Sequence, residues 1–187
     1  MFENQIQPRS TPANLTDYDN TCRTFSWNDT DREFSWHRTG RVNIAYEAID
    51  RHAENPDRAD RPCIVSCRSG QRSSITYAQM RLLSNKCGNV LRRLGVNKGD
   101  RVFLFLPGVP ELYIALAGCA KIGAVIVPLY SSFRETAVRA RMLDGRGKII
   151  ITTPSRRAQV PADEFPDLEH IIIVGDDSDL DAGELSW

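Results

Sequence analysis

Three features of this sequence predict an α/β fold, a mostly parallel sheet with helices on both faces. Short apolar runs alternate with segments of helical period from Met80 to Gly175. The runs at the heart of "RVFLFL", "AVIVPLY", "KIIITT" and "HIIIVG" are continuously apolar, as in strands covered on both sides. The helical segment from Glu111 to Ile122 is apolar nearly all round, so it belongs between layers and not on a surface.

The elements follow in chain order. Residues 1–40 are polar and broken by Pro8, Pro12 and many Asp, Asn and Thr, with Trp27, Phe34 and Trp36 scattered through them. They read as a leader that packs onto a body. The spacing Val42, Ala45, Tyr46, Ile49 predicts an amphipathic helix, ended by Asn55 and Pro56. "CIVSC", the turn "RSGQR" and "SITY" predict a β-hairpin. Thr76 and Gln79 form a capping box, and the helix behind it is expected to bury Met80, Leu83, Cys87, Val90, Leu91 and Leu94 before Gly95 stops it.

"KGDRVFLFL" is a turn into a buried strand. Pro110 suits the first helical position and Glu111 complements the helix dipole. Gly123 closes that helix and "AVIVPLY" is the next strand. Ser132 and Glu135 predict a second capping box, opening a helix with Val138 and Met142 inward that runs to Gly145. "KIIITT" and "HIIIVG" complete the set. Residues 41–175 are thus expected to form one α/β subdomain, and 176–187 an acidic linker with a truncated end.

Composition narrows the function. The chain has 187 residues, 41% hydrophobic and 26% charged, which suits one soluble globular domain. Lys+Arg and Asp+Glu are equal at 24 each, without the basic excess of a nucleic-acid binder. "MFENQIQPRS" has no apolar signal region, and no apolar run is long enough to span a bilayer, so no membrane role and a cytoplasmic location are expected. Asp176, Asp177, Asp179 and Asp181 lack the spacing and closing Glu of a calcium loop. The five cysteines form no CxxC pair. Cys63 and Cys67 share a strand face without two further ligands, and all five read as buried thiols of a reducing cytosol.

Catalytic motifs are missing. Neither G-x-G-x-x-G nor G-x-x-x-x-G-K-[ST] occurs, and Gly145 and Gly147 end a helix before a strand, the wrong order for either. G-x-S-x-G is also absent, and His37, His52 and His170 stand apart without a local acid or thiol. Position offers more. Ligands of open α/β sheets bind outside the carboxyl ends of the strands. Tyr130 closes "AVIVPLY", Ser131 and Ser132 follow it and open the next helix, and Arg156 and Arg157 follow "KIIITT". If those strands are neighbours, these residues share a rim where an arginine pair could grip a phosphate. The alternative is a helix cap beside two solvated arginines.

"GVNKGDRVFLFLPGVPELYIALAGCAKIGAVIVPLYSSF" resembles the opening part of the adenylate-forming acyl-CoA synthetases. "FSWHRTGRVNIAYEAIDRHAENPDRADRP", with its N-x-x-Y-E-x-x-D-R-H helix, is similar to the acetyl-CoA synthetase branch, and "VPADEFPDLEHIIIVG" fits the same branch. The likeness covers about Asn14 to Gly175. It implies the incomplete N-terminal portion of the adenylate-forming enzyme fold and a place in an AMP-forming acetate–CoA ligase. Such enzymes use ATP, CoA and Mg, with acetate or a short carboxylate as substrate.

The family's ATP loop, acyl-pocket motifs, hinge acid and catalytic lysine lie downstream of what this chain contains. The resemblance therefore implies no catalytic or metal residue here, no tight cofactor binding by this chain alone, and an inactive fragment. A separate chain carrying the missing C-terminal part is one partner it admits. The segment matching "LYSSF" and the basic segment after the next strand lie near the CoA nucleotide in such enzymes. That implies CoA contacts at Tyr130, Ser131, Ser132 and Arg157, although the family often has glycines where the two serines stand. The alternatives are a non-catalytic binding or scaffold module, or one half of a split ligase.

Overall fold

The computed structural model describes residues 15–68, 70–175 and 180–187. The chain divides into two units, Met1–Val42 and Asn43–Trp187. In the first, the stretch read as broken is helical: α1 (Tyr18–Thr24), α2 (Trp27–Arg32) and α3 (Trp36–Thr39). Asp17 and Ser26 cap α1 and α2 by accepting from the amides of Asn20 and Asn28, the local bonding that lets such short helices start. The Trp36 indole donates to Asp31, and its ring stacks on Phe34 with centroids 4.2 Å apart.

The second unit opens at Asn43, whose Oδ1 accepts from the amides of Ala45 and Tyr46. Because Asn43 is the cap, Val42 falls outside the helix and is exposed, against its expected inward position, while Ala45 and Ile49 are buried as expected. A π-wound turn (Tyr46–Asp50) leads into α4 (Arg51–Ala53). The hairpin forms from β1 (Pro62–Arg68) and β2 (Gln71–Thr76), paired antiparallel as a separate two-stranded sheet. α5 (Tyr77–Arg93) follows, with both bonds of the Thr76–Gln79 capping box made. It buries Met80, Cys87 and Leu91, but Val90 lies at the flank of that stripe and is 46% exposed.

β3 (Arg101–Phe105), α6 (Pro110–Ile122), β4 (Val125–Pro128), α7 (Glu135–Gly145), β5 (Ile149–Thr152), α8 (Pro154–Arg157), β6 (His170–Ile173) and β7 (Glu184–Ser186) complete the body. β7 lies within the segment expected to be a linker; Asp176, Asp177 and Asp179 of that segment fall outside the described residues. The five-stranded sheet is parallel throughout, in the order β4-β3-β5-β6-β7.

Alternation along the strands serves two cores. Val102, Leu104, Ile149 and Ile151 pack with α5 and α6, and Phe103, Phe105 and Ile150 pack with Val138 and Met142 of α7. Helices therefore cover both faces. α5 and α6 cross closely through Gly88 and Gly118, where a Cβ on Gly118 would stand 2.7 Å from Cys87 Sγ.

On the α7 side the tightest point is Gly147. A Cβ there would stand 2.4 Å from Cε2 of Phe103 and 3.1 Å from the Arg101 carbonyl, and neither can yield inside a sheet. Gly147→Ala is expected to cost about 1–3 kcal/mol by overpacking. A lower urea midpoint at unchanged slope is the expected reading, and an unchanged midpoint refutes it.

Candidate functional site

Parallel pairing puts the carboxyl ends of all five strands on one rim. From β3 the chain moves outward to β4, then crosses back over β3 to β5. The direction of winding reverses between β3 and β5, the switch point at which ligands of open α/β sheets bind. Three loops border it: 106–109 after β3, 129–134 after β4, and 153 with α8 after β5. β4 and β5 are not the neighbours that the sequence suggested. β3 stands between them, so the residues after each share the rim across two strand spacings, about 10 Å.

Tyr130 is 76% exposed on that rim. Its ring meets Phe133 edge-on at 5.3 Å, and the Arg141 guanidinium lies 4.1 Å over the other ring. The Phe133 amide donates to the Tyr130 carbonyl at 2.9 Å, closing a turn with Ser131 and Ser132 at its centre. The expected Ser132–Glu135 capping box is not formed. α7 begins after Arg134 with no side-chain cap, because the turn holds Ser132 two residues upstream and Glu135 pairs instead with Arg139 at 2.9 Å. The serines therefore offer hydroxyls in a turn, not the amides of a helix start.

The arginines after β5 are engaged, not solvated. Arg157 donates through Nε to Glu184 of β7 and through Nη1 to the Val160 carbonyl at 2.8 Å. The Glu184 side chain is only 4% exposed, and its second oxygen accepts from the Asp181 amide. The Arg156 guanidinium lies 5.7 Å over the Phe105 ring, with Nε buried and unpaired.

The sequence reading passed over Thr152. Its buried hydroxyl donates to the Phe105 carbonyl at 3.2 Å, tying β5 to β3 at the switch point. Thr153 and Ser155 hydroxyls lie 3.1 Å apart just beyond it. The cluster of hydroxyls where the apolar run stops was the signal available.

The core thiols are unreactive. Cys87 and Cys119 are buried within the core, where desolvation pushes each thiol up to about 12, so they stay protonated. Cys22 and Cys67 are exposed, correcting the expectation that all five are buried. His52, flanked by Arg51 and Arg58, has its pKa lowered, chiefly by desolvation and then by those arginines. Among the described residues no group of three or more His, Cys, Asp or Glu side chains is placed to hold a metal ion, and no helix is long and apolar enough to cross a membrane. An exposed ring beside two hydroxyls can bind and orient a ligand.

The AMP-binding enzyme family matches residues 49–187. The chain is 45% identical over 167 residues to the acetyl-coenzyme A synthetase of Bacillus subtilis, covering 89% of this chain and 29% of that protein. It is 36% identical to the 3-hydroxypropionyl-coenzyme A synthetase of Metallosphaera sedula, over 65% of this chain and 19% of that one. Among solved structures, a Brucella canis acyl-CoA synthetase superposes with a TM-score of 0.78 at 23% identity, over 90% of this chain and 30% of that one. The acetoacetyl-CoA synthetase from Streptomyces lividans superposes with a TM-score of 0.72 at 26% identity, over 78% and 24%. The chain thus spans less than a third of the length of these relatives.

Removing Arg157 would leave Glu184 buried without its cation. Because the arginine is 26% exposed, Arg157→Ala is expected to cost about 2–3 kcal/mol, below the range for a fully buried pair. Glu184→Gln should cost less, since the amide oxygen still accepts. Equal denaturant midpoints for wild type and Arg157→Ala would show that the pair carries no stability.

Proposed function

The chain belongs to the AMP-binding enzyme family, and from that membership we propose that it supplies the first α/β part of an AMP-forming acetate–CoA ligase, with its rim turned to CoA. In that reaction a carboxylate oxygen of acetate, or of a short homologue, attacks the α-phosphorus of ATP and pyrophosphate leaves. The CoA sulfur then attacks the acyl carbon of the adenylate, the thiol gives up its proton, and AMP departs.

The observation that carries the rim's role is the exposed Tyr130 ring beside the Ser131–Ser132 turn. A flat aromatic face suits the adenine of CoA, and stacking of a base on such a ring is worth about 1–3 kcal/mol. The serine hydroxyls can donate to ribose or phosphate oxygens. Arg157 is already held by Glu184 and the Val160 carbonyl, which makes its contact the costliest of the four to form. Mg accompanies ATP in this reading. The described residues do not fit it, since they bring no group of three or more His, Cys, Asp or Glu side chains together, and no step is assigned to it.

The relatives' names support the ligase reading, and the chain's own residues support a binding role within it. No described side chain pairs a nucleophile with a base on the rim, so adenylation is assigned to polypeptide beyond this part. Purified residues 1–187 are expected to show no acetate-dependent exchange of label between pyrophosphate and ATP. Robust exchange would overturn that assignment. In calorimetric titration, CoA is expected to bind Tyr130→Ala about tenfold more weakly than wild type, by loss of stacking. Equal affinities would remove Tyr130 from the site.

A further inference from the structure

A ring that turns freely is a poor stacking platform. Tyr130 is 76% exposed, and a ligand that stacks on a loose side chain must first stop its motion. Contacts within this chain stop it in advance. The Phe133 amide bonds to the Tyr130 carbonyl and closes the turn, and the two rings meet edge-on at 5.3 Å with their planes 75° apart. Phe133 is itself packed against the core on the α7 side of the sheet. Its ring carries the Arg141 guanidinium at 4.1 Å.

Helix geometry brings Arg141 there. Side chains of α7 lean toward its N-terminus, so one at position 141 reaches back toward the turn that leads into the helix. Its Nη1 donates to the Ala137 carbonyl one turn back at 3.0 Å, which pins the guanidinium along the helix. Arg139, two residues before it, takes the carboxylates of Glu135 and Glu164. Among the described residues no carboxylate pairs with Arg141, and its charge faces the Phe133 ring.

We propose that Arg141 is a positioning residue: through Phe133 it fixes the Tyr130 ring in the orientation on which a base stacks. The binding part of this proposal rests on the CoA reading of the rim above, and the fixing of the ring does not. Arg141 acts without touching the ligand.

The test begins without ligand. Residues 1–187 are made with carbon-labelled tyrosine, and magnetic resonance identifies the Tyr130 ring signals among the five tyrosines by their loss in Tyr130→Phe. In the wild type the ring current of Phe133 is expected to displace them from the positions of an unrestrained tyrosine. Arg141→Gln is expected to move them back toward those positions. Arg139→Gln, which loses two ion pairs on the same helix, is expected to leave them in place. Signals unmoved in Arg141→Gln overturn the proposal, as do signals moved equally by Arg139→Gln.

Calorimetry with CoA follows. Arg141→Gln is expected to bind about threefold more weakly than wild type, and that loss is expected to vanish when Tyr130→Ala is already present. Equal affinities of wild type and Arg141→Gln overturn the positioning role. So does a loss that persists beside Tyr130→Ala, which would make Arg141 a direct contact of the ligand. If the wild type binds no CoA while the ring signals move as expected, the CoA reading of the rim falls and the fixed ring stands. If CoA binds and the signals stay in place, the rim reading stands and the positioning role falls.

Discussion

Everything in the body depends on β3 being buried on both of its faces. Val102, Phe103, Leu104 and Phe105 are all without solvent exposure, and the strand is paired on both edges, with β4 and with β5. A strand so enclosed can satisfy its main chain only through those two neighbours. That requirement sets the parallel order, and the order puts the loops after β3, β4 and β5 on one rim. It also sets the local tolerances. Phe103 leaves no room for a Cβ on Gly147, and the Arg101 guanidinium holds the carbonyls of Gly145 and Arg146 at 2.8 and 2.6 Å. The end of α7 is thus locked to the start of β3 before β5 begins.

Two-sided burial is also why so much of the fold could be read from the residues. A strand covered on both faces must be apolar at every position, and "VFLF" and "III" say so without ambiguity. β7 carries no such mark. "ELS" is short and mixed, and it becomes a strand only because Ile171 to Ile173 present an edge to it. Val42 was misplaced because its apolar character fits a helical stripe while the cap at Asn43 excludes it. The order of the sheet was hidden for a similar reason. The chain visits β4 before β5, yet the crossover puts β3 between them, and no local pattern records a crossover.

The candidate site was legible by position and misjudged by partnership. Tyr130 and the two serines do stand on the rim, as strand ends must. What Arg157 does could not be read locally, because its partner Glu184 lies 27 residues away in a stretch that looked like solvated linker. A guanidinium beside a strand end suggests a phosphate, but here a buried carboxylate already holds it.

The segment whose residues suggested the acetyl-CoA synthetase branch shows a related division of labour. Asn43 caps its own helix and also donates to the Ala120 and Lys121 carbonyls at the end of α6. Asp50 pairs with Lys121 at 2.6 Å, and Asn85 of α5 accepts from the same ammonium at 2.7 Å. Glu47, almost wholly buried, pairs with Arg51 one turn on. The polar positions of this motif therefore join the π-wound turn to α5 and α6, far from the rim in the chain's own logic. Removing Lys121 would leave the Asp50 carboxylate, 16% exposed, without its cation. The polar residues of this segment hold the layers of the body together, and the rim at the other end of the strands offers a ring and hydroxyls, with the core thiols held protonated.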